Sequence, residues 1–335
     1  MGSPGAAGGF DRGLVMLETL VAALRKAFGV SKSSLPVAVV MELEAGSGAP
    51  WGTLSSLSAH PSDPSRLYAV PDGDSPPLRI IAIEVSGDRA WVADQTVVET
   101  AGLPVLDVEG SAVTPNGGFW MASEGKAGNT PPNFLFEVDA GGRVLRTLDL
   151  PAEIANGMRD SGFEGVSCVA RPGGQIELYV CFQAGLTGDP DGVTRIAAVN
   201  PATGAWRFYG YPLEAARDGK FCGLSDIMHL GGERFALIER DGKSGKRAIK
   251  LITTVDLAGV AGSAPGEALP LVRKQVAADL VPVFLENGRK VEAEIEGLAI
   301  AADGMVCVIT DNDNDRPTVL LKLGHRDELF GPAPG

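Results

Sequence analysis

Glu296-Gly297-Leu298-Ala299-Ile300, then Val306-Cys307-Val308-Ile309-Thr310, then Asp311-Asn312-Asp313-Asn314-Asp315: this stretch decides how the rest of the chain is read. Two short apolar runs flank Ala302-Asp303-Gly304, a turn-forming triplet, so the segment predicts a β-hairpin. Antiparallel strands return the chain to its starting level. Glu296 at the start of one strand and Asp311 at the end of the other therefore share one side of the sheet. A single hairpin delivers several carboxylates to one edge.

The unit recurs. Glu109-Gly110-Ser111-Ala112-Val113 leads through Pro115-Asn116-Gly117-Gly118 to Phe119-Trp120-Met121-Ala122-Ser123 and Glu124. Glu164-Gly165-Val166-Ser167 leads through Pro172-Gly173-Gly174 to Leu178-Tyr179-Val180 and ends near Gln183. Ser225-Asp226-Ile227-Met228 leads through Gly231-Gly232 to Phe235-Ala236-Leu237-Ile238 and Glu239-Arg240-Asp241. A degraded first copy runs from Ser55-Ser56-Leu57-Ser58 to Leu67-Tyr68-Ala69-Val70 and Asp72. Starts spaced by roughly 50 to 70 residues have the period of a propeller blade.

The chain of 335 residues, with 44 Gly, 23 Pro and 6% aromatic residues, suits many short strands joined by tight turns. A formal net charge of −13 opposes binding to nucleic acid or an anionic membrane. No apolar run reaches the length of a membrane span, so no membrane insertion is expected and the protein reads as soluble. Cys168, Cys181, Cys222 and Cys307 form no C-x-x-C pair. They read as buried thiols, with a cross-strand Cys168–Cys181 disulfide as the alternative.

Residues 1–34 are expected to hold a tail followed by an amphipathic helix, because Leu14, Leu17, Val21, Leu24 and Phe28 keep helical spacing. The reading is a helix that packs or mediates an oligomer, with a degraded targeting segment as the alternative. Glu18 interrupts its apolar stretch and no basic segment precedes it, which argues against an export signal and favours the cytoplasm. Residues 35–325 form the repeat domain and 326–335 a C-terminal tail. The run Leu35–Met41 is a spare strand before the first repeat, and the last repeat lacks a fourth strand after Thr318–Leu323. Pairing the two would close a ring and remove its exposed edges. The expected fold is an all-β β-propeller of five four-stranded blades, with six as the alternative because residues 258–268 have no assigned place.

Inner strands of a propeller line its axis, so the repeated starts should converge on one mouth. Glu109, Glu164, Asp226 and Glu296 open four of them, while Asp72, Glu124, Glu239 and Asp311 end the paired strands. Such carboxylates cannot all ionise together without compensation, and a hard cation such as Ca²⁺, or another divalent ion, supplies it. The expected metal set is Glu109, Glu164, Asp226, Glu239, Glu296 and Asp311, with Glu164, Asp226 and Glu296 as catalytic candidates. The alternative is that these groups cap turns or pair with Arg240, Lys243 and Arg316. The run Asp311–Asp315 starts like an EF-hand loop but has Arg316 and Lys322 where Gly and Glu are required. His60, His229 and His325 read as structural, and no Ser-His-Asp set is evident.

Gly162-Phe163-Glu164-Gly165, Leu224-Ser225-Asp226-Ile227, Leu237-Ile238-Glu239-Arg240, Ile295-Glu296-Gly297-Leu298 and Thr310-Asp311-Asn312, in that order, resemble the phytase-like family known for an esterase-like activity. Asp107-Val108-Glu109-Gly110, with Phe119-Trp120 through Glu124, resembles its earlier acidic pair. The likeness covers roughly residues 50 to 315. It implies a β-propeller and a hydrolase of phosphoesters or esters, often exported. Asn156-Gly157-Met158-Arg159-Asp160-Ser161 departs from the family's approach to Phe-Glu-Gly.

The expected function is Ca²⁺-dependent hydrolysis of a phosphoester or small ester, a small-molecule substrate, at the mouth. Arg240, with Lys243 and Arg159 behind it, would bind a substrate anion. A lactonase-like propeller handling a neutral substrate is the enzyme alternative, since acids outnumber bases at the mouth. A non-catalytic binding propeller is the alternative of another class.

Overall fold

Antiparallel hairpins repeat along the chain because each Gly- or Asx-containing turn lets one short apolar strand fold back on the last. The computed structural model describes residues 35, 38–46, 51–72, 76–216, 221–311 and 316–332. The expected N-terminal helix and residues 312–315 lie outside them. Strand β1 (Val39–Glu44) comes first, followed by β2 (Ser58–Ala59), β3 (Arg66–Ala69), β4 (Arg79–Ser86) and β5 (Arg89–Val97). A second sheet holds β6 (Val108–Val113), β7 (Phe119–Ser123), β8 (Phe134–Val138) and β9 (Val144–Asp149). A third holds β10 (Phe163–Arg171), β11 (Gln175–Phe182), β12 (Val193–Asn200) and β13 (Ala205–Pro212). The fourth holds β14 (Gly223–Gly231), β15 (Arg234–Arg240), β16 (Lys250–Asp256) and β17 (Lys274–Asp279). Last come β18 (Ile295–Ile300), β19 (Met305–Thr310) and β20 (Val319–His325).

The spare strand closes the ring. β1 pairs antiparallel with β20 over Val39–Glu42 and makes a short parallel contact with β5 at Leu43 and Glu44. The first and last groups of strands thus join into one eight-stranded sheet, ordered β18-β19-β20-β1-β5-β4-β3-β2. Inner strands β2, β6, β10, β14 and β18 each lie beside the next, and β18 returns to β2. Each of the five buried apolar clusters fills the space between one group of strands and its neighbour. The cluster of Leu67, Ile81, Ile83, Ala299, Ile309 and Leu320, for example, joins the first group to the last. The architecture is an all-β propeller, packed face to face around an axis.

Residues 257–273 form no sheet of their own. Ser263 and Leu271 bridge to Phe208 and Gly210 on β13, so this segment covers the outer edge of the preceding sheet. The C-terminal residues also fold back: Arg326–Phe330 is a short helix capped by His325, with Leu329 and Phe330 buried. Cys168 opposes Leu178 rather than Cys181, and all four cysteines are free thiols. The disulfide alternative is thereby excluded in this structure. No helix among the described residues is long and apolar enough to cross a membrane.

Candidate functional site

Four inner strands carry a one-residue irregularity near their start, and it falls at the repeated acidic motif. In β6, Val108 opposes Ser123 and Gly110 opposes Ala122, leaving Glu109 without a partner across the strand pair. In β18, Ile295 opposes Thr310 and Gly297 opposes Ile309, leaving Glu296. The shift in β10 lies between Phe163 and Val166 and contains Glu164. In β14 it leaves Ser225, because Leu224 opposes Glu239 and Asp226 opposes Ile238. A bulge turns the extra residue out of the ladder and re-aims its side chain. By this register Ser225, not Asp226, is the equivalent of the three glutamates. Likewise Arg240, not Glu239, corresponds to Glu124, Gln183 and Asp311 at the ends of the second strands.

The glycine after each glutamate has its own physical reason. A Cβ on Gly110 would sit 2.4 Å from the Glu164 carbonyl oxygen, and one on Gly297 would sit 2.5 Å from the Leu57 nitrogen. A Cβ on Gly165 would meet Asp226 Oδ1 at 2.2 Å. Neighbouring inner strands approach too closely here for any side chain. The Glu-Gly pair therefore couples a carboxylate turned to the mouth with the tightest contact between sheets.

The bulged residues and strand ends meet in one cluster. Carboxylate oxygens of Asp72, Asp107 and Glu109 lie within 4.8 Å of one another. Lys126 at the rim pairs with Asp107 at 3.0 Å and with Glu124 at 3.5 Å. Glu124 accepts from the Gly162 amide at 2.7 Å. Gln183 donates its side-chain amide to Glu164. Arg240 donates to Ser225 Oγ at 2.9 Å and to Glu296 Oε1 in the next group of strands. Its remaining nitrogen stands 3.7 Å from Glu294. The second oxygen of Glu296, Oε2, is buried and has no hydrogen-bond partner among the described residues.

Burial first, and the crowding of like charges second, set the protonation states. Burial first, then the charges of Glu296, Asp72, Glu124 and Asp107, push the Glu109 carboxyl well above its usual range. Glu164 is pushed well up by burial and by Glu109, Glu296 and Glu124, with Arg240 opposing. Burial also raises Glu124, against the Gly162 amide and Lys126. Burial pulls the Arg240 guanidinium down, but Glu296, Glu164, Glu294 and Glu109 outweigh it, so it stays charged.

Glu109, Glu164 and Glu296 thus come together with Asp72, Asp107 and Glu124. Asp226 sits beside them but is held by backbone: it accepts from Leu298 N at 2.6 Å and Ile227 N at 2.8 Å. Burial, opposed by those two amides, still raises its carboxyl well above the usual range. Glu239 lies apart, fully buried, with Lys274 Nζ at 2.7 Å and the Tyr211 hydroxyl at 2.7 Å. Its partners complete it as an internal ion pair between the third and fourth sheets. Asp311 is half-buried at the corresponding strand end of the last group. Arg159 and Lys243 are exposed on the loops before β10 and after β15. Each histidine serves a turn or helix end: His60 accepts from Asp63 N, His229 contacts Gly232 O, and His325 caps the last helix. Lys126 and Gln183 escaped sequence reasoning as site residues. Their signal was positional, since Gln183 ends β11 as Glu124 ends β7.

The donor set fits a hard cation. Three carboxylates within reach of one another, a buried carboxylate oxygen with no donor among the described residues, and protonation shifts from burial and then mutual repulsion are the arrangement that oxygen-loving divalent ions relieve. Asp72, Asp107 and Glu109 are the residues whose carboxylate oxygens lie close enough to share such an ion, with Glu296 and Glu164 as neighbouring charges.

An all-β propeller with an acidic mouth is the class that fold and site define. The chain belongs to the phytase-like family, whose sequence profile, described as "Esterase-like activity of phytase", matches residues 49–314. A search of curated proteins gave no match. Among solved structures, a hypothetical protein from Leishmania major is 10% identical, with 94% of this chain and 98% of that one covered and a TM-score of 0.43. A GDP-Man-dependent mannosyltransferase from Leishmania mexicana is 10% identical over 94% and 98%, with a TM-score of 0.45. The Penicillium chrysogenum alpha-L-arabinanase is 11% identical over 90% and 100%, with a TM-score of 0.41.

Proposed function

We propose that this chain is a five-bladed propeller hydrolase that uses a divalent cation, Ca²⁺ by its oxygen-only donor set, to cleave an ester at the acidic mouth. The closed circuit of five inner strands supports the blade count. The observation that carries the function is Glu296 Oε2, a buried acceptor without a donor among the described residues, which belongs to the same cluster as Glu109 and Glu164. A bound cation would polarise the ester carbonyl and acidify water. The protein's own part is to place bases around that point. Glu164, raised by burial and held by Gln183, is suited to accept a proton from water. Asp226, fixed by two amides, holds the neighbouring inner strands in register around the site.

An uncharged carboxylic ester or lactone is favoured over a phosphoester. Arg240 is only 7% exposed, and its guanidinium is engaged by Ser225, Glu296 and Glu294. It neutralises the acidic ring instead of reaching outward for an anion. Lys126 is likewise matched to Asp107 and Glu124. A substrate phosphate would find both Arg240 and Lys126 already paired with acids.

Elemental analysis of the full chain, followed by assays on generic phosphoesters, carboxylic esters and lactones before and after chelation, tests this reading. Bound Ca²⁺ and chelator-sensitive ester hydrolysis are expected. Failure of the metal-stripped protein to bind Ca²⁺, Mg²⁺, Mn²⁺ or Zn²⁺ by calorimetry would remove the mechanism.

A further inference from the structure

Beside the acidic cluster, between the first and second groups of strands, lies a cavity of about 400 Å³. Its walls include Leu78, Leu103, Val105, Leu106 and Val108, and Asp72 is the one ionisable residue lining it among the described residues. The floor is the open end of the buried apolar layer built from Val70, Ile80, Val108 and Met121, against which Leu78, Leu103 and Leu106 pack. Val105 is 74% exposed, one of few large apolar side chains so open to solvent among the described residues. The volume lies within the range of small-molecule sites, about 300 to 1,000 Å³.

Two residues connect this cavity to the site. Asp72 lines it and also belongs to the carboxylate group with Asp107 and Glu109. Val108, another wall residue, stands in the chain between Asp107 and Glu109. An apolar chamber that ends on an acid edge has the two halves an ester substrate needs. One end receives hydrocarbon, and the other presents the reacting group to charge.

We propose that this cavity takes the hydrocarbon part of an uncharged ester, with the carbonyl at the Asp72–Glu109 edge. The assignment rests on the hydrolase reading for its chemistry but not for its binding. Each buried methylene adds about 0.8 kcal/mol, roughly fourfold in affinity. Acetate-sized substrates would leave the chamber empty, and chains of about six to eight carbons would fill it.

Calorimetry with the calcium-loaded full chain separates the two readings, using octanamide and acetamide as non-reacting probes. Octanamide carries six more methylenes than acetamide, and burial of only half of them, at about fourfold each, makes it bind at least about 60-fold more tightly. Val105→Asp, at an exposed position, and Leu103→Asp should each remove that difference. Equal binding of the two amides to the wild-type chain overturns the proposal, as does a preference that survives both substitutions. A parallel assay on p-nitrophenyl acetate through octanoate reads the hydrolase. Octanamide binding without cleavage of any ester sustains the pocket and sinks the activity. Cleavage of acetate and octanoate with equal kcat/KM, with no octanamide preference, sinks the pocket alone.

Discussion

Arg240, at the end of β15, donates to Glu296 at the start of β18, tying two successive groups of strands through a buried ion pair beneath the mouth. The same guanidinium donates to Ser225, the residue that takes the glutamate position in its own group of strands. A missing carboxylate and an added cation thus occur in one repeat, and together they lower the charge of the ring.

Replacing Arg240 with Ala strands Glu296 in a buried site, and breaking a buried pair costs about 3–5 kcal/mol. Arg240→Ala should lower the urea midpoint accordingly, and the double variant with Glu296→Gln should recover part of the loss. A midpoint unchanged by Arg240→Ala would mean the pair contributes nothing to the ring.

Glu296→Gln keeps the bond from Arg240 possible but removes the charge on the orphaned oxygen. Calcium affinity, measured by calorimetry, should fall at least about tenfold, as the ion loses a neighbouring negative charge. Lys274 and Tyr211 hold Glu239 elsewhere, so Glu239→Gln should act on stability and leave calcium binding nearly intact. His229→Ala should leave it intact as well.

Stability of the metal-free protein should fall as pH rises. Glu109 and Glu164 have folded-state values raised above those of the unfolded chain, so the native state holds their protons more tightly. Their contribution is fully present below the unfolded value near 4.5 and is lost as pH climbs through the raised folded values. Calcium, if bound as proposed, should reverse the trend by binding the ionised form. At one hundred times its Kd, it adds about 2.7 kcal/mol to the native state. Melting curves from pH 4 to 8, with calcium and with chelator, read both slopes, and parallel curves would contradict this account.

Gly110→Ala and Gly297→Ala should each destabilise the fold by about 1–3 kcal/mol, the usual cost of overpacking. Each new Cβ meets backbone of the neighbouring inner strand, which cannot swing away. Gly242→Ala, with no atom within 4 Å of the added carbon, is the control. Chemical denaturation of the three variants checks the order.

Removing the chain through Glu44 should destabilise the whole ring, because β1 supplies the fourth strand beside β20 and also touches β5. Hydrogen exchange should show lost protection in both the first and last groups of strands. Loss confined to β20 would show that the ring does not depend on this closure.

Local sequence determined the hairpins, their order and the need for closure. Apolar runs of strand length alternate with Gly- and Pro-bearing turns, and a spare strand at one end matches a missing one at the other. It also determined that Glu109, Glu164 and Glu296 share an environment, since equivalent positions of a repeat occupy equivalent places. Register was beyond its reach. Ser225-Asp226 offers its acid one residue later than Glu-Gly does, and only the bulge in β14 shows that Ser225 faces the mouth while Asp226 takes the glycine's place. Glu239 and Arg240 are adjacent in sequence, yet strand alternation sends one to Lys274 between sheets and the other to Glu296. A one-residue shift reverses which face a side chain occupies, and ladder pairing between distant strands sets that shift. The pairing of Arg240, the orphaned oxygen of Glu296 and the apolar cavity beside Asp72 therefore belong to the tertiary structure alone.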